Sequence, residues 1–347
     1  MHLSCKTIKS LCAVTYDGNI INISNKVFRK WTSLKSQSGD GKNNIFIACD
    51  YRFREKTLEW HDNMSAFCHP FRDDYTSLFP DKPKFLFSES DMVDPKWIYS
   101  GCTSSKSKYD FVFFTIDSIQ GVNCKGYHTL SLLDKASGIL GLKGLVIDFY
   151  SFRNPGKRGD IISGKVEKGS QENNLLISRE LARRLENIKY KKDNLDEKRL
   201  CSLLRSVKFQ FFGNTRDCSP RMITEALIRG TPILVNNKIY GGWKYVNSTN
   251  GALFNGPMNS FEIVKHKDNY LDNLVNSLKY MVETQFNRED IIKNYLSEYG
   301  FINSSRRLAL IINKIEGHNN YKFVSYYELK HILKKIKHIE APLGITI

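Results

Sequence analysis

Arg216-Asp217-Cys218-Ser219-Pro220-Arg221-Met222-Ile223-Thr224-Glu225-Ala226-Leu227-Ile228-Arg229-Gly230-Thr231-Pro232 lies between two apolar runs, Val207 to Phe212 and Ile233 to Val235. Each run is short and apolar throughout, as a strand buried on both faces must be. The segment between them reads as a short helix joining two strands. Ser219 is a natural N-cap and Pro220 suits the first helical position. Two carboxylates bracket the helix start: Asp217 ahead of it and Glu225 eight positions later, inside it. A helix that begins at the end of a parallel strand offers N–H groups and the positive end of its dipole to an anion. A nucleoside diphosphate is the anion expected there.

The same alternation extends outward. Upstream, Phe111 to Phe114, Leu145 to Ile147 and Ile188 to Tyr190 read as strands. Helices are expected over Tyr127 to Leu140, Leu176 to Leu185 and Leu195 to Arg205. Strands alternating with helices predict a parallel sheet covered on both faces. Downstream, helices are expected from Asn287 to about Tyr299, from Ser304 to about Ile315, and from Tyr327 to Ile339. The last carries an apolar stripe of Leu329, Ile332, Leu333 and Ile336 beside four lysines. It reads either as a helix packed on the protein with solvated lysines or as a contact to an anionic membrane surface. The first hundred residues are less regular, with apolar runs at Ser10 to Val14, Ile45 to Cys49 and Phe85 to Phe87. A Gly/Ser/Lys-rich stretch at Ser100 to Lys108 marks a break. The expected division is therefore a small N-terminal α/β domain over 1–105, a nucleotide-binding domain over 106–316, and a basic tail over 317–347.

Composition narrows the class. At 347 residues, two domains are the natural organisation, and 41% hydrophobic with 25% charged residues is ordinary for a globular chain. No apolar run is long enough to span a bilayer, and the N-terminus lacks the apolar core of a secretory signal. The eight cysteines are scattered without CxxC spacing, so neither a zinc site nor a compact disulfide framework is indicated. A reducing, cytoplasmic setting is the simplest expectation, with peripheral membrane contact open. The net charge of +16 admits phosphate-bearing ligands, nucleic acid or anionic membrane, or simply solvated lysines. The basic residues are spread along the chain, so nucleic acid is not the expected partner.

From Tyr109 to about Ile315, some three fifths of the chain, the order of elements resembles the donor-binding domain of GT-B fold glycosyltransferases. The closest resemblance is to the retaining group known as family four (glycosyl transferases group 1). That group carries Glu, seven residues and a second Glu, followed by Ala and Gly-x-Pro before the next strand. Here Asp217 stands at the first Glu, and Glu225, Ala226, Gly230, Thr231 and Pro232 follow. Lys125-Gly126 resembles the family's Lys-Gly, Gly241-Gly242 its glycine pair, Gly251-Ala252-Leu253-Phe254 its later strand, and Leu203 to Ser206 the helix before the motif strand.

The resemblance implies two Rossmann-like domains, the N-terminal one here small or atypical, and transfer of a sugar from a nucleotide-diphosphate sugar with retention of configuration. No metal and no further cofactor is expected. Lys125 then contacts the pyrophosphate, Glu225 the ribose and Asp217 the donor sugar. Charge builds on the leaving diphosphate as the glycosidic bond breaks, so fixed cations and N–H donors are needed around it. Lys125, Gly126, the cap at Ser219, and the N–H groups of Arg221, Met222 and Ile223 are the candidates, with Arg221 or Arg216 as a guanidinium. Two departures stand out: Asp217 is a methylene shorter than Glu, and the family's Arg six positions before the Lys is Ile119 here. The acceptor, whether glycan, lipid or protein, does not follow from the resemblance. His69 reads as a loop histidine or a group facing the acceptor. Glu89-Ser90-Asp91 reads as a turn, or as the metal-binding carboxylates of the GT-A fold. A non-catalytic module that binds nucleic acid or membrane through its basic surface is the competing function.

Overall fold

The computed structural model describes residues 10–14, 20–24, 46–49, 66–70, 72, 83–93, 108–116, 125–149, 185–193, 195–217, 220–300 and seven positions between 303 and 314. The expected helices at 176–185 and 327–339, and the positions Ile119 and Ser219, lie outside them. The chain forms two compact units. One comprises 1–92 with 298–347, the other 93–297.

The first unit contains a five-stranded sheet in sequential order: β1 (Ser10–Val14), β2 (Ile20–Ser24), β3 (Phe46–Cys49), β4 (Ala66–His69) and β5 (Lys84–Leu86). The β1–β2 pair is antiparallel and the other neighbours are parallel. Glu89-Ser90-Asp91 forms a 3-10 turn, and the carboxylate of Asp91 accepts from Ser88 N–H (3.2 Å) and Ser88 Oγ–H (3.1 Å). The segment is thus a turn, with Asp91 fully buried and held by its own loop. The returning chain closes on the same place. Ser304 Oγ–H donates to Asp91 O (2.7 Å), and Arg307 donates to Leu86 O (2.8 Å) with its guanidinium 3.6 Å from the Asp91 carboxylate. Arg307 also lies over the rings of Phe87 and Tyr299. Burial, with Asp91 beside it, pushes the Tyr299 phenol up to about 12. The sequence-based boundary of 106–316 differs because local periodicity does not show which core a helix returns to.

The second unit holds six parallel strands: β6 (Phe111–Ile116), β7 (Gly144–Phe149), β8 (Ile188–Lys192), β9 (Phe209–Phe212), β10 (Ile233–Asn236) and β11 (Gly251–Phe254). Their order is β11-β10-β9-β6-β7-β8. This is the doubly wound order of nucleotide-binding folds, and it reverses between β6 and β9. Among the described residues, the strands are accompanied by the helices α1 (Leu130–Leu140), α2 (Glu197–Ser206), α3 (Arg221–Leu227), α4 (Ser260–Glu283) and α5 (Arg288–Glu298). The apolar runs read from sequence in this unit fall on strands, except that Val207 caps α2 and β9 begins only at Phe209; β9 and β10 are buried throughout.

Phe111 stacks on Phe209 (5.4 Å between centroids), Phe211 on Phe254 (5.1 Å), and Phe113 meets Phe211 edge-on. Each such pair contributes about 0.5–1.5 kcal/mol beyond burial. On this face α1 and α4 contribute Leu130, Leu133, Leu274 and Leu278 to one core with the phenylalanines. The helix α4 was not evident from the sequence pattern. Its first turn is fixed by Asn259, whose side chain accepts from the N–H groups of Phe261 and Glu262, and it kinks at His266. Among the described residues no helix is long and apolar enough to cross a membrane. Cys201, fully buried on α2, is disulfide-bonded.

Candidate functional site

A doubly wound sheet offers its binding crevice at the C-terminal ends of the strands where the order reverses. Here those strands are β6 and β9, hydrogen-bonded in parallel. Lys125-Gly126 lies on the segment following β6, and Gly213-Asn214-Thr215-Arg216-Asp217 follows β9 directly. The two segments touch backbone to backbone. Gly126 adopts φ +78°, and a Cβ there would lie 2.2 Å from Gly213 C. The Thr129 hydroxyl, donating to Gly126 O (2.7 Å), holds the turn from which α1 starts.

This close approach brings together two predicted residues that are 92 positions apart. Lys125 Nζ forms an ion pair with Asp217 Oδ2. Asp217 is only 8% exposed. Its Oδ2 also accepts from Asn214 Nδ2 (2.9 Å). A carboxylate is acceptor-only, so its position fixes which end of the Asn214 amide faces it. The loop is braced from β10. Tyr240 N–H donates to Thr215 O and Gly241 N–H to Asp217 O, both at 2.9 Å. Gly241 thus supplies one of these two braces. Asn236, fully buried, donates to Pro257 O (3.1 Å) and Gly213 O (3.5 Å), tying the loops after β9 and β11 together.

The helix α3 starts one residue later than expected, with Pro220 rather than Ser219 at the cap position. The N–H of Ile223 donates to Pro220 O (3.0 Å), so of the three candidate donors this one is spent inside the turn. Arg221 reaches back along the helix, and its Nε lies 2.9 Å from Glu225 Oε1. On the other side Arg229, 2% exposed, donates NH1 to Glu225 O (3.0 Å) and lies 3.9 Å from Oε2. Burial drives the Glu225 carboxyl upward from its ordinary range, and the two guanidinium groups pull it back. Burial likewise lowers Arg229. The two predicted carboxylates thus sit in two separate charge pairings, Asp217 with Lys125 and Glu225 with Arg221 and Arg229.

Sequence reasoning missed four residues of this region. Arg229 follows Glu225 at i,i+4, a spacing that places two side chains on one helix face. Asn214 precedes Asp217 by three, the spacing of a side-chain-bonded turn. Asn236 carried no local signal. His128 lies one turn beyond Lys125, with Nε2 3.1 Å from Pro257 O. Loss of hydration lowers its pKa, partly offset by this contact and by the nearby Glu262, which also accepts from Met258 N–H and Tyr270 O–H. A histidine depressed in the fold is protonated first in the unfolded chain. Stability present above the ordinary histidine range is therefore lost as pH falls below it. We expect stability, read as melting temperature, to decline between pH 7 and 5, the free energy falling by at most about 1.4 kcal/mol per pH unit for one proton. A His128→Gln chain should show a flatter profile in the same thermal melts.

Among the described residues, Thr115 Oγ1, Asn214 Oδ1 and Thr215 Oγ1 are buried without a hydrogen-bond partner. All three stand at the C-terminal ends of the two strands that flank the reversal. An unsatisfied buried polar atom costs about 1–3 kcal/mol, and native proteins meet such atoms with water or ligand. The crevice is thus a cationic, polar site with hydrogen-bonding capacity in hand. A separate basic groove, a cavity of about 520 Å³, lies between α2 and the strands β7 and β8. Leu145, Ile147 and Leu203 form its apolar lining, and Lys108, Lys189, Lys191, Lys198 and Arg199 its charged one. Asp193 holds two of those cations, Lys191 at 2.7 Å and Arg199 at 2.6 Å.

No protein-family model matches the sequence, and curated protein sequences yield no match. Solved structures match by fold. A UDP-forming α,α-trehalose-phosphate synthase from Burkholderia xenovorans aligns with TM-score 0.58 and 11% identity, over 86% of this chain and 74% of that one. Sucrose-phosphate synthase from Thermosynechococcus elongatus gives 0.55 and 8%, over 86% and 74%. A glycosyltransferase from Rickettsia africae gives 0.51 and 12%, over 86% and 77%. These are GT-B structures, and the chain has the GT-B fold.

Proposed function

We propose that the chain is a glycosyltransferase that moves a sugar from a nucleoside-diphosphate sugar to an acceptor, with retention of configuration. One observation carries the reading: Lys125 and Asp217, far apart in sequence, meet at the strand-order reversal of a GT-B fold, beside three buried polar atoms without partners. A diphosphate needs a cation and N–H or O–H donors; a sugar needs acceptors and donors at short range. The crevice offers both kinds of group.

The roles are those that the resemblance to the retaining family implies. Lys125 takes the pyrophosphate, and the half-buried Arg221 adds a second positive charge at the start of α3. Glu225 accepts from the ribose hydroxyls, while Arg229 holds its carboxylate in place from behind. Asp217 accepts from a hydroxyl of the donor sugar. Charge develops on the leaving diphosphate oxygen, and these fixed cations stabilise it without a bound metal ion. The sugar passes through an oxocarbenium-like state and the acceptor attacks from the face the diphosphate leaves.

The test is a thermal-shift screen with UDP-, GDP-, ADP- and TDP-sugars. A ligand that binds only the folded chain stabilises it by about 2.7 kcal/mol at a concentration of one hundred Kd. We expect one nucleotide to raise the melting temperature and Lys125→Ala to remove the shift. A screen in which no sugar nucleotide shifts the transition overturns the reading.

A further inference from the structure

The Lys125–Asp217 pair poses a problem for the proposed reaction, and this inference rests on that reading. The lysine expected to hold the pyrophosphate is already neutralised by a carboxylate of the same chain. A diphosphate entering the crevice meets Asp217 as a like charge and as its competitor. Drawing Lys125 away from Asp217 leaves a carboxylate that is 8% exposed. An uncompensated buried charge is expensive. Asn214 meets that cost. Its Nδ2–H already donates to the very oxygen that Lys125 holds, Asp217 Oδ2, at 2.9 Å.

We propose that Lys125, Asp217 and Asn214 form a latch opened by the donor. In the free chain Asp217 occupies Lys125 and keeps it from other anions. When a pyrophosphate arrives, Lys125 moves to the phosphate oxygens, and Asn214 retains Asp217 by its hydrogen bond. The carboxylate, released from the lysine, is then able to accept from a donor-sugar hydroxyl. Asn214 is a positioning residue: it acts through Asp217. The braces on the loop, Tyr240 N–H to Thr215 O and Gly241 N–H to Asp217 O, keep the backbone fixed, so the exchange needs only a lysine side chain to move. No bond is made or broken and no proton is transferred.

A double-mutant cycle tests this directly, with inorganic pyrophosphate as the probe and calorimetric titration as the readout. Asp217→Asn removes the competing anion and should bind pyrophosphate about tenfold more tightly than the native chain. Asn214→Ala leaves Asp217 without a partner once Lys125 departs, and should bind it about tenfold more weakly. Asn214→Ser restores a donor and should recover most of the loss. In the Asp217→Asn background, Asn214→Ala should change nothing, because there is no longer a charge to hold. Thermal melts on each variant verify that it is folded. If Asp217→Asn binds no more tightly, or Asn214→Ala costs the same in both backgrounds, the latch is wrong. A native chain that binds no pyrophosphate also overturns it. The enzymatic reading is judged separately, by the sugar-nucleotide screen, and a chain that passes the screen but fails the cycle is a transferase without the latch.

Discussion

Replacing Glu225 by alanine is expected to lower kcat/KM for donor turnover by roughly 10²–10⁴, and also to destabilise the second unit. The first effect follows from the proposed contact. A hydrogen bond to a charged group contributes about 1.5–3 kcal/mol, and a ribose presents two hydroxyls. The second follows from what lies behind the carboxylate. Arg229 is 2% exposed and has Glu225 as its counter-charge. Removing one member of a buried pair typically costs about 3–5 kcal/mol, and because Glu197 still acts on Arg229 the loss here belongs at the lower end of that range. The bare loss of activity in Glu225→Ala is therefore ambiguous. Glu225→Gln keeps the shape and two polar atoms but not the charge, and Arg229→Met with Glu225→Gln removes the buried cation as well. We expect the double variant to melt near the native temperature and still turn over donor at least about a hundredfold more slowly. Paired measurements of melting temperature and donor hydrolysis separate the two effects. A double variant that is well folded and fully active would remove Glu225 from the site.

The parts of the sequence that announced themselves did so for different reasons. The strands of the second unit were readable because a parallel sheet buries both faces, and runs such as Phe209–Phe212 carry no polar alternation to confuse them beyond Gln210. The Gly230-Thr231-Pro232 segment belongs to the resemblance but lies at the opposite end of the sheet from the candidate site. Thr231 Oγ–H donates to Leu204 O (2.8 Å), Gln210 N–H donates to Pro232 O (2.8 Å), and Arg288 donates to Gly230 O (3.1 Å). Its part is to join α2, β9 and α5. Lys125 and Asp217 were legible as candidates through a resemblance, but not as partners: nothing local links positions on two loops whose meeting depends on strand order. The same limit hid Asn236, which acts across three loops, and the return of residues 298 onward to the first unit. In the first unit, β2 and β4 went unread although Asp17-Gly18-Asn19 precedes Ile20 and Pro70 follows His69, because each strand is only four or five residues long and β2 carries the polar Asn22 and Ser24.

Gly126→Ala is expected to destabilise the second unit strongly, and the cause is steric. A Cβ at Gly126 would stand 2.2, 2.4 and 2.6 Å from the C, O and Cα atoms of Gly213, all of them backbone. No rotamer relieves such a contact, so one of the two loops must move. The backbone at φ +78° adds the left-handed cost of about 1–2 kcal/mol for a residue with a Cβ. With about 1–3 kcal/mol for overpacking, the sum is roughly 2–5 kcal/mol. For a unit of this size that lowers the melting temperature by about 10 °C. Because the displaced loops carry Lys125 and Asp217, sugar-nucleotide binding should be lost with it. Gly213→Ala provides the contrast. There the added Cβ meets Thr129 Oγ1 at 2.2 Å, and the next neighbours lie at 3.1 and 3.3 Å. A side-chain hydroxyl is able to rotate away, giving up its 2.7 Å hydrogen bond to Gly126 O, so the loss should be nearer 1–2 kcal/mol. Thr129→Ala should then rescue Gly213→Ala and leave Gly126→Ala as unstable as before. If instead Gly126→Ala melts within about 2 °C of the native chain, the two loops do not meet as closely as the crevice requires, and the pairing of Lys125 with Asp217 loses its structural basis.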